Sequence, residues 1–288
     1  MAALIKSEKK LRAREASLGS RPKAKVDFER TLLTSPNSSY LWIQFAVNRI
    51  EKETPEAGRA ILQQAIKQIS MDEEREKLNL YLAWLNYEDH YGTEESFDEA
   101  YEVALQANDP EKVMRHRIRK CLSKGNLDTA EETHETLGRR FGSNVKNWSL
   151  YIDFLLIYRK DVDKAEQICK RGKQALEDKA GNLERIFAIS LFRNGYIERG
   201  RTLLEHLISL KPKRGDLWNL YIDMEMKYGS VDSQRELYER ALTLPFSKNT
   251  IRGFFKRYIA FEVEHGVEEK VEEIKKRARR YVQENYAD

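Results

Sequence analysis

The sequence predicts an all-α protein, an α-α superhelix (solenoid) of about seven helix-turn-helix repeats spanning residues 26–288 behind a basic arm at residues 1–25. Three observations predict it. Aromatic residues recur at helical spacing in several separate segments. Glycines recur at a fixed distance after those aromatics. The 288 residues are 34% charged and only 41% hydrophobic, which suits an elongated array that keeps more surface per residue than a sphere.

The aromatic pattern sets the first helix of each repeat. Trp148, Tyr151 and Phe154 read W-x-x-Y-x-x-F. Trp218, Tyr221, Met224 and Glu225 repeat it, as do Phe255, Tyr258, Phe261 and Glu262, and upstream Tyr81, Trp84, Tyr87 and Glu88. Trp42 and Phe45 begin a further copy. Positions i, i+3 and i+6 or i+7 share one helix face, so each copy is an amphipathic helix with a bulky seam. The seam residues are Trp42, Tyr81, Trp84, Trp148, Tyr151, Trp218, Tyr221, Phe255 and Tyr258. Their regular spacing assigns the tryptophans to an inter-helix core rather than to base stacking. Glu88, Glu225 and Glu262 are expected to accept hydrogen bonds from a neighbouring helix.

Gly92, Gly125, Gly195, Gly229 and Gly266 mark the turns, where the residue after a helix often adopts a left-handed conformation. Counting back eleven residues from them gives Tyr81, Met114, Glu184, Trp218 and Phe255, and with Trp42 and Trp148 from the aromatic pattern the first-helix positions number seven. Two copies have Glu53 and Arg159 where the glycine belongs, so longer or irregular turns are expected there. The second helices open at Gly58, Ala130, Ala165, Gly200 and Ser233, and several run out at a proline: Pro36, Pro212 and Pro245. An unpaired helix, Phe28 to Leu33, precedes the first copy. A basic helix ending at Tyr281 closes the array.

The chemistry of an enzyme is not legible. There is no phosphate-cradling GxxxxGK[ST], no GxGxxG and no GxSxG. His90, His116, His134, His206 and His265 are dispersed, with no metal-ligand spacing. Neither a cofactor nor a metal is expected. Cys121 and Cys169 read as small apolar residues in a reducing compartment. No apolar run approaches the roughly 20 residues that span a bilayer, and the start lacks a signal-peptide core, so neither a membrane nor secretion is expected.

Charge is unevenly spread. Residues 1–30 hold nine Lys or Arg against four acids, so that segment is +5 and the remainder −1 of the total +4. Two further clusters are candidates for RNA backbone: Lys112, Arg115, Arg117, Arg119, Lys120 and Lys124, and then Lys275, Lys276, Arg277, Arg279 and Arg280. Each could neutralise several phosphates without reading sequence. The competing reading is a solubilising surface. In the first cluster Met114, Ile118, Cys121 and Leu122 are the expected buried stripe. Lys112, Arg115 and Arg119 fall on one flank, and Arg117, Lys120 and Lys124 on another.

The W-x-x-Y-x-x-x-E first helix, followed by a second helix such as Arg235-Glu236-Leu237-Tyr238-Glu239-Arg240-Ala241, resembles the half-a-TPR (HAT) repeat of RNA-processing proteins. The run from Asp27 to Gln44 resembles the C-terminal HAT region of the family of ribosomal RNA-processing protein five, called programmed cell death protein eleven in animals. So do Glu76 to Asn79, Tyr91 to Ser96, Trp218 to Met224 and Phe254 to Tyr258. That resemblance implies a nucleolar, non-enzymatic scaffold on the small-subunit (18S) branch of ribosome biogenesis. Its implied partners are pre-ribosomal assembly proteins and pre-rRNA. The family's array of S1 RNA-binding domains has no counterpart here, so the chain is expected to be a fragment or to carry only the C-terminal activity. The alternative is a protein-only HAT scaffold, homodimeric or not, in mRNA 3′-end processing or splicing.

Overall fold

A computed structural model describes residues 25–178 and 181–286; the basic arm at residues 1–25 lies almost wholly outside them. Among the described residues there are fifteen α-helices and no strand. The helices are α1 (Lys25–Thr34), α2 (Ser39–Lys52), α3 (Pro55–Gln68), α4 (Glu74–Tyr91), α5 (Glu94–Ala107), α6 (Pro110–Lys124), α7 (Leu127–Arg140), α8 (Val145–Phe154), α9 (Val162–Ala175), α10 (Asn182–Arg193), α11 (Ile197–Leu210), α12 (Gly215–Tyr228), α13 (Val231–Leu242), α14 (Lys248–His265) and α15 (Glu268–Tyr286). From α2 onward the helices follow in the order expected of seven pairs, and α2–α3, α4–α5, α8–α9, α10–α11, α12–α13 and α14–α15 pack together. The chain divides into two compact units, residues 1–124 and 125–288. In each unit, neighbouring helices pack as successive hairpins.

Local chemistry starts the helices where the sequence turns. Thr93 with Ser96, and Ser230 with Ser233, form reciprocal capping boxes. Thr54, Asn126, Asp161 and Ser247 cap four other helices with side-chain oxygens, and Pro55 sits at the first turn of α3. Each cap satisfies amide donors that the helix itself leaves unpaired.

The aromatic seam is the core. Trp42, Tyr81, Trp148, Tyr151, Trp218, Tyr221, Phe255 and Tyr258 are all buried, and Trp84 is half-buried. Three indole N–H groups donate to the carbonyl six residues earlier: Trp42 to Pro36 (2.8 Å), Trp148 to Gly142 (2.8 Å) and Trp218 to Pro212 (3.1 Å). Each tryptophan therefore fastens the loop that enters its own helix, and has neither a free face nor a free donor for a base. Tyr238 stacks on Tyr258 at 4.8 Å between ring centres, joining α13 to α14.

The turn glycines divide into two kinds. Gly125 and Gly195 are left-handed, with φ of 76° and 85°, as the spacing predicts. Gly92, Gly229 and Gly266 are not; their φ values are −90°, −105° and −104°. Their requirement is spatial. A Cβ on them would lie 2.4, 1.8 and 2.0 Å from Oε2 of Glu88, Glu225 and Glu262, which fold back over the turn.

The two turns without glycine also differ from each other. At Glu53 the connection is no longer than at Gly92, two residues between helices. At Arg159 it is irregular: α8 runs on into a π-helical turn, Leu155–Arg159, and Lys160 takes a left-handed φ of 57°. From Trp148 to the cap Asp161 is one residue more than from Trp218 to the cap Ser230, and the wider turn absorbs it.

His134 is buried against Tyr151 and Phe154, at 5.2 and 5.1 Å between ring centres. Burial holds it at a pKa of about 4 despite the nearby Glu131. His116 is likewise held at about 4, by burial and then by the charges of Arg119 and Lys120. Both are neutral when folded and bind protons more readily when unfolded. Their contribution is complete above the ordinary histidine pKa of about 6.5 and is lost as pH falls toward 4. His134→Phe, which keeps the stacked ring, is expected to remove about 2 kcal/mol of the stability loss between pH 7 and about pH 5. Urea midpoints at the two pH values measure it; an unchanged loss would show that His134 does not titrate in this way.

Candidate nucleic-acid interface

Helix α6 carries the first basic cluster on the edge of the N-terminal unit. Met114 and Ile118 are buried as the helical pattern predicts, joined by Val113; Cys121 and Leu122 are half-buried. Although no acid interrupts the cluster in sequence, carboxylates at the start of α6 and on the two preceding helices pair with it. Lys112 pairs with Asp109 (3.1 Å) and Arg115 with Glu111. Arg117 turns toward α5, where it pairs with Asp98 (3.5 Å) and lies 4.4 Å above the Tyr101 ring. Lys120 and Lys124 share Asp89 of α4, at 3.3 and 2.5 Å. Burial pushes Asp89 upward, but the two lysines outweigh it and hold its carboxyl below the usual range. Arg119 is exposed, and its Nε donates to the Arg115 carbonyl (3.3 Å). The cluster is six cations set against four carboxylates.

The second cluster, on α15, is different. Arg277 grips Glu239 of α13 with two bonds of 2.8 Å, and Lys275 pairs with Glu272 at 2.7 Å. Lys276, Arg279 and Arg280 are exposed and form no ion pair among the described residues, although the charge of Arg279 bears on Glu272.

A set of buried ion pairs was only half visible in the sequence. Glu88, Glu225 and Glu262 are buried and each receives an arginine from the helix before it. Arg59 meets Glu88 at 2.8 Å. Arg201 meets Glu225 at 2.7 and 2.9 Å, and Arg235 meets Glu262 at 2.7 and 3.1 Å. Ser96 and Ser233 donate to Glu88 and Glu225 as well. On the second helices a parallel series joins Arg171 to Glu135, Arg240 to Glu205 and Arg277 to Glu239. These arginines are fasteners between hairpins. The recurring glutamate was the readable half; its partner lies 24 to 29 residues upstream, outside any local pattern.

Helices α9, α10 and α11 enclose a cavity of about 360 Å³ lined in part by Cys169, Phe187, Leu191 and Leu203. Its charged rim is already paired, Lys173 with Glu184, and Lys170 and Arg199 with Glu166. Burial pushes the Cys169 thiol up to about 12, which makes it inert as a nucleophile. Among the described residues no group of His, Cys, Asp and Glu could hold a metal ion, and no helix is long and apolar enough to cross a membrane.

The family model described as the pre-mRNA-splicing factor Syf1/CRNKL1 C-terminal HAT repeat matches residues 32–287. The chain belongs to the HAT-repeat family. It is 35% identical over 283 residues to the Protein RRP5 homolog of Mus musculus, covering 96% of this chain and 15% of that one. It is 37% identical over 276 residues to the rRNA biogenesis protein rrp5 of Schizosaccharomyces pombe, covering 95% and 16%. The human Crooked neck-like protein 1 is 22% identical over 257 residues, covering 88% and 27%. The resemblance read from the string Asp27 to Gln44 thus extends over nearly the whole chain. This HAT chain spans about 15% of the length of the two RRP5 relatives.

Proposed function

We propose that the chain is a non-catalytic scaffold of ribosome biogenesis that works in the nucleolus and supports pre-rRNA processing on the small-subunit branch. It would bring pre-ribosomal proteins and RNA together at high effective concentration. The observation that carries this reading is the likeness to RRP5 homologues along almost the entire chain. The paired polar groups of the cavity and the raised Cys169 thiol support a binding role rather than a reaction. RNA backbone would be held by cations that the fold leaves exposed, more on α15 than on α6. Cross-linking in cells followed by sequencing of the bound RNA tests it. Enrichment of pre-rRNA is expected; enrichment of pre-mRNA alone would overturn it.

A second reading is favoured by one observation. Most α6 cations already have carboxylate partners. The array would then hold protein alone, as a monomer or a homodimer, in splicing or mRNA 3′-end processing. Lys112→Gln/Arg119→Gln/Lys124→Gln separates the two at α6. If that cluster contacts RNA, the triple variant lowers the slope of log affinity against log salt by about 2. An unchanged slope removes α6 from the RNA surface.

A further inference from the structure

We infer that the outer face of the last hairpin, α14 and α15, is a phosphate-binding surface for single-stranded RNA, built around Arg252, Lys256, Lys275, Lys276 and Arg279. This rests on the RNA-contact part of the function proposed above and assigns it a place.

Positions in the last hairpin have counterparts in the one before. Glu225 and Gly229 of α12 become Glu262 and Gly266 of α14, 37 residues later. Arg240 of α13 becomes Arg277 of α15 at the same offset, and each grips a glutamate of the preceding second helix. The side of α12–α13 that receives α14 is known from contacts. On α12, a Cβ at Gly215 would lie 2.7 Å from Thr250 of α14, and Asn219 accepts from Arg257. On α13, Arg235 grips Glu262, Tyr238 stacks on Tyr258, and Glu239 accepts from the Tyr258 hydroxyl at 3.0 Å. Leu242 packs into the same core.

One hairpin later every one of these positions changes character. Gly215 and Asn219 become Arg252 and Lys256; Arg235, Tyr238, Glu239 and Leu242 become Glu272, Lys275, Lys276 and Arg279. The glycine that permits close approach is an arginine. The aromatic and the leucine are cations. The charges of Arg235 and Glu239 have inverted sign, and Asp223, which pairs with Arg257, becomes Ala260. The face has no apolar seam with which to bind another hairpin, and a helix docking there would strand buried charge. It presents five cations and one carboxylate, a net +4, where a merely solubilising end would mix signs. Arg252, Lys256 and Lys276 are exposed and make no ion pair among the described residues. A polyanion with closely spaced charges fits this surface, and the phosphodiester backbone supplies one whatever its sequence.

The test is the affinity of the whole chain for a labelled single-stranded oligouridylate over a range of sodium chloride concentrations. Arg252→Gln/Lys256→Gln/Lys276→Gln/Arg279→Gln is expected to lower the salt slope by about 3, with an unchanged urea midpoint. Arg252→Lys/Arg279→Lys is expected to retain the parent slope, since neutralising phosphates needs charge and not the guanidinium. If the chain binds and the quadruple variant keeps the parent slope, this face is not the site. If the parent chain has no affinity for the oligonucleotide, the RNA part of the proposed function fails along with it. Displacement by polyglutamate as readily as by unlabelled RNA would also overturn the assignment, pointing to an acidic protein instead.

Discussion

Replacing Arg201 with Met is expected to destabilise the protein by about 3 kcal/mol at neutral pH, because it strands a buried carboxylate. Glu225 is 1% exposed and owes its charge to Arg201 and Ser233. Burial alone would raise its pKa, but the hydrogen bonds of Arg201 and Ser233, with the arginine's charge, outweigh it and hold the carboxyl below the usual range. In the parent protein this group stabilises above the ordinary glutamate pKa, and the contribution fades as pH falls through the lowered value. Without Arg201 the sign reverses. Burial is then opposed only by the Ser233 hydrogen bond, the folded state prefers the protonated acid, and the deficit shrinks as pH falls toward about 4. Urea titrations at neutral and acidic pH report both. A deficit independent of pH would mean that packing of the arginine stem, not the buried charge, sets the cost. A companion variant, Glu225→Gln with Arg201 retained, leaves no stranded charge and should cost less.

Trp148→Ala is expected to cost about 3–5 kcal/mol, the range for deleting a large buried ring. The indole is 3% exposed and lies against two glycines. A Cβ at Gly138 would be 3.2 Å from its ring, and one at Gly172 would be 2.8 Å away. Those glycines come from the helices on either side, so the cavity left by alanine has little side chain nearby to collapse into it. The lost Nε1 bond to Gly142 also frees the loop between α7 and α8. Chemical denaturation measures the loss. Trp84→Ala provides the contrast: that ring is half-buried and its N–H goes to Glu88, so a smaller cost is expected, and equal costs for the two would refute the packing account.

Much of this architecture could be read before any coordinates. The seam residues repeat locally, and a local repeat is visible to periodicity; Glu184, assigned to a first helix by glycine spacing alone, does lie in α10. What escaped was non-local or geometric. Gly229 was read as a conformational requirement, but its neighbour Glu225 occupies the space where a side chain would go. Arg277 was grouped with RNA-facing cations because its charge is clustered in sequence, yet Glu239 claims it from 38 residues away. Arg252 and Lys256 were passed over for the opposite reason. They stand apart from α15 in sequence, and only the 37-residue repeat offset relates them to its cations.

The π-helical turn at Leu155–Arg159 shows how such an array can change length. The surplus residue is taken up inside a helix rather than looped out, so the next cap, Asp161, still begins its helix and the following hairpin docks as usual. This hairpin thereby tolerates a one-residue insertion on its own account. Copies of a repeat can drift apart in residue number while the docking rhythm of the chain is preserved.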